Sequence, residues 1–174
     1  MVAHDIAEAR WFARVGLPQD DAERLAIAAM CGASAAVPAA ESAAIASWAE
    51  ASRILEAEER DSRNWDADEA ERERLWELAA DRFTEDQLLD RADAARRQSS
   101  AVIADCANAA ARRLGISDPR FVAEAIAAAQ VAVSRSELAR LAGADGAHRF
   151  NRALALFVRG RWPLGHVNGR TMIF

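Results

Sequence analysis

The sequence predicts an all-α, single-domain bundle of about seven or eight helices, built around a long central helix near residues 85–114 and closed by a short C-terminal β-hairpin. Three observations predict it. Ala makes up roughly a quarter of the 174 residues and stands beside Leu, Arg and Glu, all strong helix formers, with only 8 Gly and 4 Pro to interrupt them. Apolar residues recur at helical pitch along most of the chain. Past Pro163 they alternate instead, around Asn168-Gly169, the strongest two-residue hairpin signal because both positions need positive φ. One domain over 1–174 follows, with helices over 1–160 and the hairpin over 161–174 packed on the bundle or pairing beside it.

The elements follow in order. Ile6, Ala9, Phe12 and Ala13 predict a helix from Asp5 to Val15, stopped by Gly16 and Pro18. Asp20 or Asp21 starts a second helix through Leu25, Ile27 and Met30 to about Gly32, apolar nearly all round and so expected to be buried. A third runs from after Pro38 to about Glu59 on Ile45, Trp48, Ser52 and Leu55, and Arg60–Asn64 reads as a connection. A fourth begins near Asp66 and turns Leu75, Trp76, Leu78 and Ala79 inward. Thr84 and Gln87 match a capping box and open the long helix, which Gly115 ends; thirty residues at 1.5 Å each give about 45 Å. Asp118-Pro119 opens a sixth helix. Ser134 and Glu137 suggest a second capping box, hence a break before a short helix ending at Gly143. The last helix, about Ala147 to Arg159, faces Phe150, Ala153, Leu154, Phe157 and Val158 inward. Trp162 is expected to pin the hairpin to the bundle, and the small side chains to line tight helix seams.

Composition narrows the function classes. The N-terminus has no secretory pattern, and the most apolar window, Leu25 to Ala40, is too short and interrupted to span a bilayer, so cytoplasmic residence is the expectation. Cys31 and Cys106 read as buried reduced thiols. His4, His148 and His166 lack partners at ligand spacing, and neither a phosphate-cradling glycine loop nor a serine-hydrolase elbow occurs, so no metal and no cofactor is expected. Arg161 and His166 have the Arg-x-x-x-x-His spacing of HEPN-type helical ribonucleases, which carry that pair on a helix. Pro163 and Gly165 prevent a helix between them here, so the spacing assigns no activity.

Charge is divided along the chain. Residues 1–111 hold 12 Arg against 23 acids, residues 112–174 hold 10 Arg against 4, and the net is −5. Asp66, Asp68, Glu69, Glu71 and Glu73 alternate with Arg72 and Arg74 in the manner of a salt-bridged, solvated helix face. At the rear, His148, Arg149, Arg152 and Arg159 fall opposite Phe150, Leu154 and Phe157 on a helical wheel, followed by Arg161, His166 and Arg170. These residues are the candidate face for an anion or an acidic partner, unless they dock on the protein's own acidic helices. The expected function is a non-catalytic protein-interaction module (adaptor, inhibitor or immunity-type protein, or assembly factor) using acidic helical faces and the basic C-terminal region. The alternative is a binder or enzyme for an anionic small molecule, with a pocket between helices near the Arg/His-rich region. Another protein is the expected partner, with a homodimer through the hairpin edge a further option; the acidic net charge argues against nucleic acid.

Overall fold

Local signals set the longest helix. In the computed structural model, which describes residues 9–31, 42–56, 62–168 and 170–174, the Thr84 hydroxyl accepts from the Gln87 amide at 3.3 Å, and Gln87 Oε1 accepts from the Thr84 amide at 3.0 Å. This reciprocal cap starts a helix over Glu85–Leu114, and Gly115 ends it in the left-handed conformation, φ 65°. Asp118 then caps the next helix, accepting from the Arg120 amide at 2.9 Å, with Pro119 at its first turn.

In chain order the elements are α1 (Asp21–Cys31), β1 (Ser42–Ala44), α2 (Trp48–Glu56), α3 (Ser62–Ala80), α4 (Glu85–Leu114), α5 (Pro119–Leu141), α6 (Arg149–Val158), β2 (Pro163–Val167) and β3 (Arg170–Ile173). The chain is mostly helical with a small C-terminal sheet, as expected, and six helices are present among the described residues. α4 and α5 pack as a long antiparallel pair, and α3 and α6 pack on α5. Ala107, Ala110 and Ala111 of α4 meet Ala125, Ala129 and Ala132 of α5 in the main core. Side chains this small let the helix backbones approach closely. No helix among the described residues is long and apolar enough to cross a membrane.

Leu25 and Leu78, expected to face inward, are 73% and 41% exposed, and three further expectations are corrected. The helix expected from Asp5 to Val15 falls partly on residues 1–8, outside the described residues; where it is described, residues 11–16 form turns and Phe12 has φ 56°. Tertiary bonds replace the helical ladder there: the Arg10 amide donates to the Val158 carbonyl at 3.1 Å and the Arg14 amide to Gly160 at 2.8 Å. The irregular path buries Trp11, Phe12 and Val15 together, which a single helical stripe would not. Gly160, at φ 89°, permits this approach, since a Cβ there would lie 2.8 Å from the Arg10 carbonyl oxygen. Second, no break occurs at Ser134; α5 runs on to Leu141 because Val133, Ser136, Leu138 and Ala139 stay buried through that stretch. Third, the helix expected after Pro38 begins only at Trp48; residues 32–41 and 57–61 lie outside the described residues, and the fourth helix starts earlier than Asp66, at Ser62.

Ser42–Ala44 instead pairs in parallel with β3, giving the strand order β1-β3-β2. Neither Ser nor Ala favours strands, so tertiary pairing overrides local preference. The hairpin forms as expected, with Asn168 at φ 51° and Val167 paired to Arg170. β3 is covered on both sides by its own chain. The outer edge of β2 is blunted by Pro163, which has no amide hydrogen, and by an irregularity between Pro163 and Gly165. Trp162 does pin the hairpin: it is buried against Phe12, Trp48, Phe121 and Phe174, with ring centroids 5.9–6.2 Å apart.

Candidate functional site

Where the charge-rich front meets the basic rear, three elements converge. α5 supplies Arg135, the start of α6 supplies His148, Arg149 and Phe150, and α3 supplies Asp68, Glu69 and Glu71. On α3, Asp68, Glu71, Leu75 and Ala79 recur at three- and four-residue spacing, so one stripe carries acids first and apolar residues after. Leu75 and Ala79 are buried with Leu88, Leu138, Ala139, Leu141 and Phe150, which seats the acidic half of the stripe over the start of α6.

The acids find cations there. Arg135 reaches two carboxylates, Nη1 donating to Asp68 Oδ2 at 2.8 Å and Nη2 to Glu69 Oε1 at 2.9 Å. Its guanidinium lies 5.3 Å from the Phe150 ring centroid. Arg149 Nη2 pairs with the other Asp68 oxygen. His148 does two jobs. Its Nδ1 accepts the Phe150 amide at 3.2 Å and caps α6, so the ring proton sits on Nε2, which donates to Glu71 Oε1 at 2.7 Å. The positive end of the α6 dipole therefore faces the carboxylates as well.

The electrostatics follow from these contacts. The Arg74 guanidinium, hydrogen-bonded to Glu71, and then His148 hold the Glu71 carboxyl down at about 2 against the opposing effect of burial. Arg72, then Arg135, hold Glu69 below the usual carboxylate range. The face read from sequence as solvated is thus split: Asp68, Glu69 and Glu71 are half-buried in this contact, and Asp66 and Glu73 are exposed. The intrahelical pairs Glu69–Arg72 and Glu71–Arg74 are present too, at 2.8 and 2.7 Å.

No family model matches the chain, and neither a curated protein nor a solved structure matches it.

The other candidate residues separate. Arg161 is 1% exposed, and every guanidinium donor is used. Its Nε donates to Glu23 Oε1 at 2.6 Å, Nη1 to the carbonyls of Arg14 and Leu17 at 2.6 and 2.7 Å, and Nη2 to the Pro18 carbonyl at 3.0 Å and to Glu23 Oε2. Arg14 completes a triad on Glu23 at 3.1 and 3.2 Å. Arg161 first, and Arg14 after it, hold Glu23 down at about 2. Arg152 folds back onto the Ala147 carbonyl at 2.6 Å, and His166 lies on β2 with Nδ1 3.0 Å from the Thr171 hydroxyl. Arg159 is exposed just past the end of α6. The structure thus gathers His148 and Arg149 but not Arg152, Arg159, Arg161 and His166.

Sequence reasoning missed Arg135 and Glu23. Arg135 sits mid-helix among buried neighbours, and Glu23 follows a capping Asp20, so neither stood out in any local pattern. Among the described residues, no three His, Cys, Asp or Glu side chains are grouped to hold a metal ion. The Cys106 thiol is half-buried, and burial, then Asp105, pushes it up. A depression of about 300 Å³ lies at the α4–α5 turn, lined by Asn108, Arg112, Ile116 and Asp118 among others, and none of the rear Arg or His residues faces it. The arrangement around Arg135 grips the side of an acidic helix, α3, through ion pairs and one imidazole hydrogen bond.

Proposed function

We propose that the chain is a non-catalytic protein-interaction module, of the adaptor, inhibitor or assembly-factor kind, whose exposed acidic corner takes a basic partner. The division of charge carries this reading. His148, Arg149 and Arg135 are committed to the protein's own α3, and Arg161 to its own Glu23. Along the second half of α3 and the first turns of α4, by contrast, Glu73, Glu77, Asp81, Glu85, Asp86 and Asp90 are all exposed. Leu78 and Leu89 on the same two segments are 41% and 50% exposed. Acids interspersed with accessible leucines complement a basic amphipathic segment, with charge steering the encounter and the apolar contacts holding it.

The test is a fluorescence-anisotropy titration of the full chain with a labelled Lys/Leu amphipathic helical peptide. Binding is expected, weakening steeply between about 50 and 300 mM NaCl. It should be lost in Glu77→Arg/Asp81→Arg/Asp90→Arg and kept in the control Asp105→Arg/Glu124→Arg. Equal affinity for both variants would sink the reading.

A further inference from the structure

The contact that seats α3 has the make-up of a binding groove already filled. Between Asp66 and Ala80, only Leu75 and Ala79 are fully buried, with Trp76 half-buried against the same cluster, and the remaining ties to α5 and α6 described above are ion pairs or hydrogen bonds to a charged group. The groove itself belongs to other elements: Leu88 is on α4, Arg135, Leu138 and Leu141 on α5, His148, Arg149 and Phe150 at the start of α6. Arg135 and His148 each have a contact that does not involve α3. Arg135 rests on the Phe150 ring, and His148 is fixed by its bond to the Phe150 amide. What the groove selects can be read from α3: two adjacent acids, a third acid three residues after the first, then an apolar pair at the seventh and eleventh positions after it.

We propose that α3 is a displaceable internal ligand, and that the face formed by Arg135, His148, Arg149 and Phe150 binds an acidic amphipathic helix of a partner when α3 leaves. The surface differs from the acidic corner, and the partner has the opposite charge, so this extends the interaction-module reading to a second site. Release of α3 also frees Asp68, Glu69 and Glu71. A basic partner drawn to the acidic corner therefore gains further carboxylates by pulling α3 away, which couples the two faces.

Charge reversal on one side, then both, tests the idea in the full chain. In Asp68→Lys/Glu69→Lys/Glu71→Lys, amide exchange over residues 66–80 should rise by about tenfold or more, with α4 and α5 protection unchanged. Adding Arg135→Glu/Arg149→Glu restores opposite charges across the contact and should return exchange toward that of the original chain. A fluorescein-labelled peptide of residues 66–80 should bind the first variant at least about tenfold tighter than the original chain, lose affinity with salt, and fail to bind the second. Three results overturn the proposal: unchanged exchange in the first variant, loss of α4–α5 protection along with α3, or no peptide binding to the opened chain. None of these depends on the cationic-peptide titration, so either reading can fail alone.

Discussion

Two clusters in this protein use the same chemistry, arginine against carboxylate, under different burial. At the clamp, Arg161 and Glu23 have side chains 1% and 7% exposed, and five hydrogen bonds from one guanidinium tie the N-terminal turns and α1 to the start of the hairpin. At the α3 contact the paired side chains are 13–32% exposed, and each donor side chain reaches one or two carboxylates. Buried charge that loses its partner has nowhere to find water, whereas partly solvated charge does. The same bond type therefore makes an irreversible-looking fastening in one place and an exchangeable one in the other.

The largest expected effect breaks the clamp. Arg161→Ala leaves Glu23 to Arg14 alone and takes the buried donor from the carbonyls of Arg14 and Leu17, and should cost about 3–5 kcal/mol, with cooperative loss of the whole fold. Thermal melting checks it, and the cost should be the same at low and high salt, since buried pairs are poorly screened. A change under about 1 kcal/mol would show that the clamp is no more than a surface pair.

Acid titration sharpens the contrast. Glu23 and Glu71 are each held down at about 2 from an ordinary 4.5. A depressed carboxylate stabilises the fold fully above its unfolded value, and that contribution is lost as pH falls from about 4.5 through 2. For Glu23, that amounts to about 3 kcal/mol across the window. Denaturant unfolding followed from pH 5 to 2.5 should show a steep fall that Glu23→Gln flattens. Added salt should leave the Glu23 part intact and shrink the Glu71 part, whose chief cause is the exposed Arg74.

How far the sequence reveals such features depends on how local they are. Thr84 with Gln87, Gly115, Asp118-Pro119 and Asn168-Gly169 mark element ends correctly, each acting within four residues, whereas the equally local Ser134–Glu137 signal is overridden by the burial that carries α5 through it. β1 was illegible, since three small residues become a strand only against β3, more than a hundred residues away. The helical wheel placed His148 and Arg149 away from the core stripe, but only the tertiary fold brings Asp68 and Glu71 to them across 81 and 77 residues. Arg161 looked like a free cation for the same reason. Its acceptors lie 138 to 147 residues earlier, and nothing near it in sequence hints at burial.

A smaller effect is expected from Arg135→Ala. Asp68 keeps Arg149 and Glu69 keeps Arg72, so neither carboxylate is stranded, and the loss should be about 1–2 kcal/mol at low salt. Unlike the Arg161 loss it should fade by about 0.5 M NaCl. Urea unfolding of both variants at two salt concentrations checks the pair; parallel salt dependence would erase the distinction between clamp and latch.

The smallest expected effect divides the two jobs of one side chain. His148 caps α6 through Nδ1 and holds Glu71 through Nε2. Asn at that position keeps a capping oxygen but is too short to reach α3, so His148→Asn should cost about 0.5–1 kcal/mol, whereas His148→Ala loses both bonds and should cost about 1–2 kcal/mol. Amide exchange assigns the losses: the Asn variant should loosen residues 66–80 alone, and the Ala variant should loosen the first turn of α6 as well. Equal exchange at α6 in the two variants would mean that a capping side chain at position 148 adds nothing beyond Ala at this helix end, and that the part of His148 that matters is its bond to Glu71.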